Sequence, residues 1–82
     1  MFVEVHKIFV GADDDEILYR SDELIRVKDI IHVYMVMPHG TRICIEYKAK
    51  TGEIRNIYEE CHTYCNASCR VSELLDLLNN KS

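Results

Sequence analysis

The chain has 82 residues, of which 48% are hydrophobic and 29% are charged, and its formal net charge is −4 at pH 7. A chain of this length forms one domain with a small core. The acidic balance argues against direct nucleic-acid binding, which depends on basic side chains at phosphates, and no apolar run approaches the roughly eighteen residues that a membrane span needs.

The N-terminal residues, Met1 to Lys7, mix apolar and charged side chains, and no small-residue cleavage site follows them. We therefore predict no secretory leader and a cytoplasmic location. Disulfides are rare in that compartment, so the four cysteines are predicted to be reduced thiols.

The first predicted strand runs from Phe2 to Val10 and ends at Gly11, because its apolar residues alternate with polar ones. The acidic run at 13–16 is predicted to be an exposed loop, because it places four like charges together with no apolar residue among them. It lacks the spaced ligands of a calcium-binding loop. A short second strand, Ile17 to Arg20, is predicted to pair back on the first strand and to end at the polar residues 21–23.

The alternation at Ile25 and Val27 then favours another strand, although Ser21 could instead cap a short helix. A tight bend or bulge is predicted at Lys28 and Asp29.

The best-defined region contains three apolar segments in succession. Residues 30–37 are apolar on both alternating faces, as in a strand covered on both sides. In residues 41–49, the apolar Ile43, Ile45, Tyr47 and Ala49 alternate with the charged Arg42, Glu46 and Lys48. Residues 53–59 form a third segment whose inward face is ambiguous. Gly40 and Gly52 lie in the short connections, where hairpin turns need glycine. The natural interpretation is a meander of three strands.

The C-terminal quarter divides into two parts. Residues 60–70 hold three of the four cysteines and few aliphatic residues, and form either a loop or the poor first half of a helix. Residues 71–80 carry Leu74, Leu75 and Leu78 on one stripe with Val71, which predicts a helix packed on one face of the sheet.

Together these elements predict a single α+β domain spanning residues 1–82. It consists of a small antiparallel meander or barrel-like sheet of about five strands over residues 1–59, a Cys-rich insertion at 60–70, and a C-terminal helix at 71–80.

This order of elements resembles the small FlbD-like motility and regulatory proteins, and also small uncharacterised phage and gut-bacterial proteins. The matching features are Lys28-Asp29-Ile30-Ile31, the turn at Gly52, and the approach to the helix from Glu59-Glu60 to Ser72-Glu73-Leu74. The Cys61 to Arg70 segment and the hairpin around Gly40 depart from that pattern. The resemblance implies a β-rich module without enzymatic activity and transfers no functional residue.

The one constellation with metal-ligand chemistry is Cys61, His62, Cys65 and Cys69. Thiolates and imidazole are typical ligands of zinc. On a helix, residues four apart are separated by about 6 Å along the axis, so Cys61 and Cys69 would be too distant to share one ion. In a loop, the four side chains could converge. Cys44 lies in a different strand and need not join them.

Catalysis has no comparable signal in this chain. A nucleophile needs a base within hydrogen-bond reach, which no Cys–His pair in the sequence establishes. The three glycines are isolated turn residues and do not form a phosphate-binding loop. Asn66-Ala67-Ser68 matches a glycosylation acceptor, but no secretion signal accompanies it. We therefore expect no enzymatic activity and no cofactor.

Two hypotheses of function remain. The first is a small interaction or regulatory module with a protein partner, of which a phage-encoded inhibitor of a host defence protein is one example. The second is a zinc-binding domain that uses the cysteine segment.

The apolar residues of the central segment also bear on assembly. A single helix covers one face of a sheet, whereas a second row on the opposite face is formed by Ile30, His32, Tyr34 and Val36. We therefore expect a homodimer, with partner contacts at His32, Tyr34 and Val36 and with Tyr34→Glu disrupting it.

Overall fold

The computed structural model describes residues 1–11, 17–36 and 40–80. Its elements in order are β1 (Phe2–Val10), β2 (Ile17–Arg26), a 3-10 turn (Val27–Asp29), β3 (Ile30–Val36), β4 (Arg42–Lys48), β5 (Ile54–Glu60) and α1 (Tyr64–Asn80). The predicted α+β class is thereby confirmed. The described strands are antiparallel and form two sheets, β1-β2 and β3-β4-β5, so the sheet is not a closed barrel.

Strand β2 is longer than predicted, because Ser21, Asp22 and Glu23 continue it instead of ending it. Each of these residues lies opposite a residue of β1, with Asp22 opposite His6 and Glu23 opposite Val5. Pairing with a long neighbouring strand outweighs the weak strand preference of such polar residues. The chain then changes direction in the 3-10 turn, which lies at the predicted bend and takes Val27 out of the strand.

The predicted three-strand meander is present as β3, β4 and β5. Val33, Ile45 and Ile57 lie side by side across the three strands and are all buried. This alignment resolves the ambiguous face of the last strand, since Ile57 and Glu59 point to the core while Tyr58 is exposed.

A bulge at Ile31 changes which side chains of β3 face the core. The register shifts between Ile30, which lies opposite Tyr47, and His32, which lies opposite Glu46. One extra residue reverses the alternation, so Ile30 is buried and Ile31 is 55% exposed. The predicted second apolar row therefore loses Ile30 to the core.

The helix begins at Tyr64 and not at Val71. Its N-cap is Thr63, whose hydroxyl accepts a hydrogen bond of 3.0 Å from the backbone N–H of Asn66. Most of the Cys-rich segment thus forms the first turns of α1, and Ala67 within it is fully buried. The structure therefore integrates into the fold a segment that the sequence predicted to be an insertion.

Helix α1 packs against the face of the meander that carries Ile43 and Ile45. The core contains buried residues from both sheets and the helix: Val5, Ile25, Ile30, Val33, Ile43, Ile45, Ile57, Ala67 and Leu74. Val71, Leu77 and Leu78 pack against this cluster, whereas Leu75 is 40% exposed. The buried stripe is therefore narrower than the sequence predicted, and Leu75 lies outside it.

The two sheets meet where β1 lies beside β5, and a buried ion pair connects them. The guanidinium of Arg70 on α1 binds Glu59 of β5 through two hydrogen bonds, Nε to Oε1 at 2.8 Å and Nη2 to Oε2 at 3.0 Å. The same two side chains satisfy the backbone of β1, because Glu59 accepts the N–H of His6 and Arg70 donates to the carbonyl of Glu4. This pair joins a strand of each sheet to the helix.

Within the described part of the chain, no helix combines the length and the apolar character needed to cross a membrane.

Candidate functional site: the outer face of the meander

The candidate site is the face of the meander opposite α1, which we call the outer face. Its residues come from alternate positions of three adjacent strands: His32, Tyr34 and Val36 of β3, Cys44 and Glu46 of β4, and Asn56 and Tyr58 of β5. The period of two that sends Ile43, Ile45 and Ile57 into the core sends these side chains outward. The outer face is thus a surface built on three paired strands.

At its centre, two tyrosines cover a thiol. Tyr34, Cys44 and Tyr58 lie side by side across the strands. Tyr34 and Tyr58 are 39% and 37% exposed, whereas Cys44 between them is completely buried. The phenol rings therefore shield a buried thiol on a face that the helix does not cover.

Contact with this thiol also affects the ionisation of both phenols. Hydrogen bonding to Cys44 raises the pKa of Tyr34 to about 12. Burial, followed by the nearby Cys44, raises the pKa of Tyr58. Both tyrosines are therefore neutral at physiological pH, and each presents a hydroxyl that can donate or accept a hydrogen bond.

Polar rows flank the tyrosines on both sides. On one side, the Nδ1 atom of His32 lies 3.6 Å from Oε1 of Glu46. On the other side, Nε of Arg42 donates a 2.8 Å hydrogen bond to Oε1 of Glu60. Burial raises the pKa of the Glu60 carboxyl, but hydrogen bonds from Arg42 and from the backbone N–H of His62 outweigh burial, so its pKa is lowered. The outer face is therefore an aromatic centre with a polar surround.

The three residues predicted to bind a partner share this face but differ in exposure. His32 and Tyr34 are exposed, and their rings contact each other with centroids 5.0 Å apart. Val36 is only half-buried at the end of β3 and lies opposite Arg42. Since Ile30 faces the core, the row is one aromatic pair with a valine and not four apolar residues.

The predicted metal ligands occupy separate environments. Cys65 and Cys69 are exposed on α1, whereas Cys61 precedes the helix and packs against the core. Burial raises the pKa of the Cys61 thiol, which disfavours the thiolate that a metal requires. Among the described residues, no group of three or more His, Cys, Asp or Glu side chains is arranged to hold a metal ion. Zinc binding stays a prediction of the sequence.

Sequence reasoning did not place Cys44, Glu46 or Tyr58 on the candidate face. Alternation along the strand places Cys44 on the face opposite to Ile43 and Ile45. Which residues lie beside Cys44 on that face depends on the register of β3 and β5. Register is set by long-range packing and turn geometry and is not visible in the local pattern.

Thiol reactivity tests the covered cysteine. We expect Cys65 and Cys69 to react first with Ellman's reagent, because both are exposed. Cys61 should react more slowly because of its raised pKa, and Cys44 should be the slowest because it is fully buried. In Tyr34→Ala, Cys44 should become reactive. Mass spectrometry of labelled peptides assigns each thiol, and rapid labelling of Cys44 in the unmodified protein would contradict the described cover.

Comparison with protein-family models, with curated proteins and with solved structures finds no match for this chain.

Proposed function

We propose that this protein is a non-enzymatic interaction module that binds a protein partner through the outer face. The observation that carries the proposal is the aromatic centre formed by Tyr34 and Tyr58 together with the adjacent ring of His32. These side chains retain exposed surface although the strands that carry them contribute Val33 and Ile57 to the core.

The chemistry of the outer face fits a protein partner. Tyrosine is enriched at the centres of protein interfaces, because it contributes a large contact area and a hydrogen bond at a small cost in conformational entropy. A polar surround such as the His32–Glu46 pair matches the rim of a typical interface. Regulation of the bound protein, as by an adaptor or by a phage-encoded inhibitor of host defence, is the use we propose for such a surface.

Self-association belongs to the same proposal. Among the described residues, three strands form one sheet and two form the other, which leaves strand edges unpaired. Such edges are complementary to their own copies through a two-fold axis. We propose that the chain forms a homodimer while the outer face serves the partner.

The test is capture of a partner by variants that differ at one surface only. The tagged protein is immobilised and exposed to lysate of the source organism, in parallel with Tyr34→Glu and with Leu75→Glu. Leu75 is a matched control, because it is 40% exposed on the helix, close to the 39% of Tyr34.

We expect a protein that is retained by the unmodified chain and by Leu75→Glu and lost with Tyr34→Glu. A weakening of about tenfold or more is expected, since a charge placed at the centre of an interface costs at least about 1.4 kcal/mol. Direct binding to the purified partner then measures the loss. If every captured protein binds Tyr34→Glu as well as the unmodified chain, the outer face is not the binding surface.

A further inference from the structure

Strand β2 has one paired edge and one open edge. It pairs with β1 along residues 17–26, and no other strand of the described chain pairs with it. A groove of about 340 Å³ lies at the C-terminal end of β2 and is lined by residues 23–26, by Phe2 and Asp29, and by residues 47–50 at the end of β4. Leu24 and Tyr19 on this strand are 68% and 57% exposed. An exposed strand of this length is a template for pairing with another strand.

The hydrogen bonds of β1 reveal which backbone groups of β2 face the open edge. The N–H of His6 and the carbonyl of Glu4 point away from β2, because they bind Glu59 and Arg70. The alternate residues of β1 must then bond to β2, and their partners there include Ser21 and Glu23. The N–H and C=O groups of Arg20, Asp22 and Leu24 consequently point outward, to the open edge.

Symmetry limits how a second copy could pair at this edge. A two-fold axis between antiparallel strands is perpendicular to the sheet and preserves its two faces. The sequence numbers of two residues that lie opposite each other must therefore differ by an even number. As a result, one residue at the centre of the pairing lies opposite its own copy. In the register centred on Ser21, Ser21 lies opposite Ser21 of the second copy. Arg20 then lies opposite Asp22, and Tyr19 lies opposite Glu23. The two strands overlap over residues 17–25.

Charge distinguishes this register from its neighbours. Centring on Asp22 or on Arg20 places like charges directly opposite each other, and centring on Glu23 places Arg20 opposite Arg26. These arrangements are destabilising. A register centred on Leu24 pairs Asp22 with Arg26, but the two strands then overlap only over residues 22–26. In addition, Arg26 already binds Asp29 of its own chain at 3.0 Å. Arg20, in contrast, has no ion-pair partner among the described residues.

We propose that the chain forms a homodimer by antiparallel pairing of β2 with β2 of a second copy, centred on Ser21. Arg20 of each copy pairs with Asp22 of the other, and the two β1-β2 sheets become one four-stranded sheet. This inference rests on the self-association proposed above and assigns it to an edge that leaves the outer face open.

The pairing also supplies a hydrogen-bond donor for the Glu23 carboxylate. Oε2 of Glu23 is shielded from solvent and accepts no hydrogen bond from the described residues, although Nζ of Lys7 lies 3.7 Å away. In the proposed register, Tyr19 of the second copy lies opposite Glu23 in a non-hydrogen-bonded pair, where side chains approach most closely. Its hydroxyl is the donor that we assign to the Glu23 carboxylate, whose side chain is 41% exposed in the single chain.

Reversal of charge at the two paired positions tests the inference. Sedimentation velocity over a range of concentrations is measured for the unmodified chain, Arg20→Asp, Asp22→Arg and the double variant. Each single change creates two like-charge contacts and is expected to raise the dimer dissociation constant about tenfold or more. The double variant restores opposite charges and should restore dimerisation.

Two controls separate this effect from others. Lys28→Asp makes the same change in net charge as Arg20→Asp at an exposed turn next to β2 and should leave the dimer intact. Asp22→Asn removes the carboxylate charge that His6 contacts at 2.9 Å without introducing a positive charge. It should weaken the dimer less than Asp22→Arg.

Amide hydrogen exchange provides a second readout that does not depend on any variant. As the concentration rises through the dimerisation range, the amides of Arg20, Asp22 and Leu24 should become protected. The amides of Ser21 and Glu23, which bond to β1, should be protected at every concentration.

The outcomes distinguish the two proposals. A monomer at all concentrations would overturn self-association and this inference with it. A dimer that is insensitive to Arg20→Asp but disrupted by Tyr34→Glu would keep self-association, overturn the edge assignment and place the contact on the outer face. Failure of the double variant to restore the dimer, with the fold intact by circular dichroism, would overturn the register.

Discussion

Arg70→Ala is expected to destabilise the fold by about 3–5 kcal/mol, because it leaves the buried carboxylate of Glu59 without its counter-charge. The Glu59 side chain is 5% exposed and the Arg70 side chain 17%. The substitution also removes the donor to the carbonyl of Glu4. Since domains have a stability of only about 5–15 kcal/mol, this one change removes a large part of it. Urea denaturation measures the loss.

An exposed ion pair on the same sheet provides the control. Arg55 and Glu53 are joined at 3.2 Å, but their side chains are 54% and 67% exposed. Exposed pairs contribute little to stability because solvent screens them, so Arg55→Ala should change the free energy of unfolding little. A similar small effect for Arg70→Ala would show that the buried pair does not hold β1, β5 and α1 together.

Leu74→Ala is expected to cost about 2–5 kcal/mol, the range for a large-to-small substitution in a well-packed core. Leu74 is fully buried between the helix and the sheet and belongs to the central cluster. Its neighbour Leu75 is 40% exposed, and Leu75→Ala should change the free energy of unfolding by no more than about 0.5 kcal/mol. Thermal and urea denaturation of the two variants measure the difference.

This pair also tests the orientation of α1. The sequence predicted that Leu74 and Leu75 share the buried stripe, whereas the structure buries only Leu74. Equal destabilisation by the two substitutions would contradict the helix orientation described here and support the broader stripe.

Local pattern determined most of the architecture. Strands β1 and β4 lie where alternating apolar residues placed them, because a period of two is a property of the strand itself. Strand β3 lies where the continuous apolar run at 30–37 placed it, and β5 overlaps the segment predicted at 53–59. The turn glycines at 40 and 52 have φ values of 68° and 93°, the left-handed region for which glycine is suited. A C-terminal helix was likewise visible from its leucines.

The start of that helix was less visible. Its first turns contain mostly polar and cysteine residues, and they are supported by the N-cap at Thr63 and by the buried side chain of Ala67. Neither the N-cap nor a single buried alanine produces a hydrophobic periodicity, so sequence reasoning placed the start of the helix at Val71.

Only the tertiary structure decided the remaining features. Strand β2 continues through Ser21 to Glu23 because β1 supplies its partners, and the bulge at Ile31 turns Ile30 into the core. Glu59 is buried because Arg70, eleven residues along the chain, reaches it from the helix. The Tyr34–Cys44–Tyr58 row depends on the register of three strands. In each case, a contact between residues distant in sequence overrides or completes the local preference, and no pattern within a single segment contains that information.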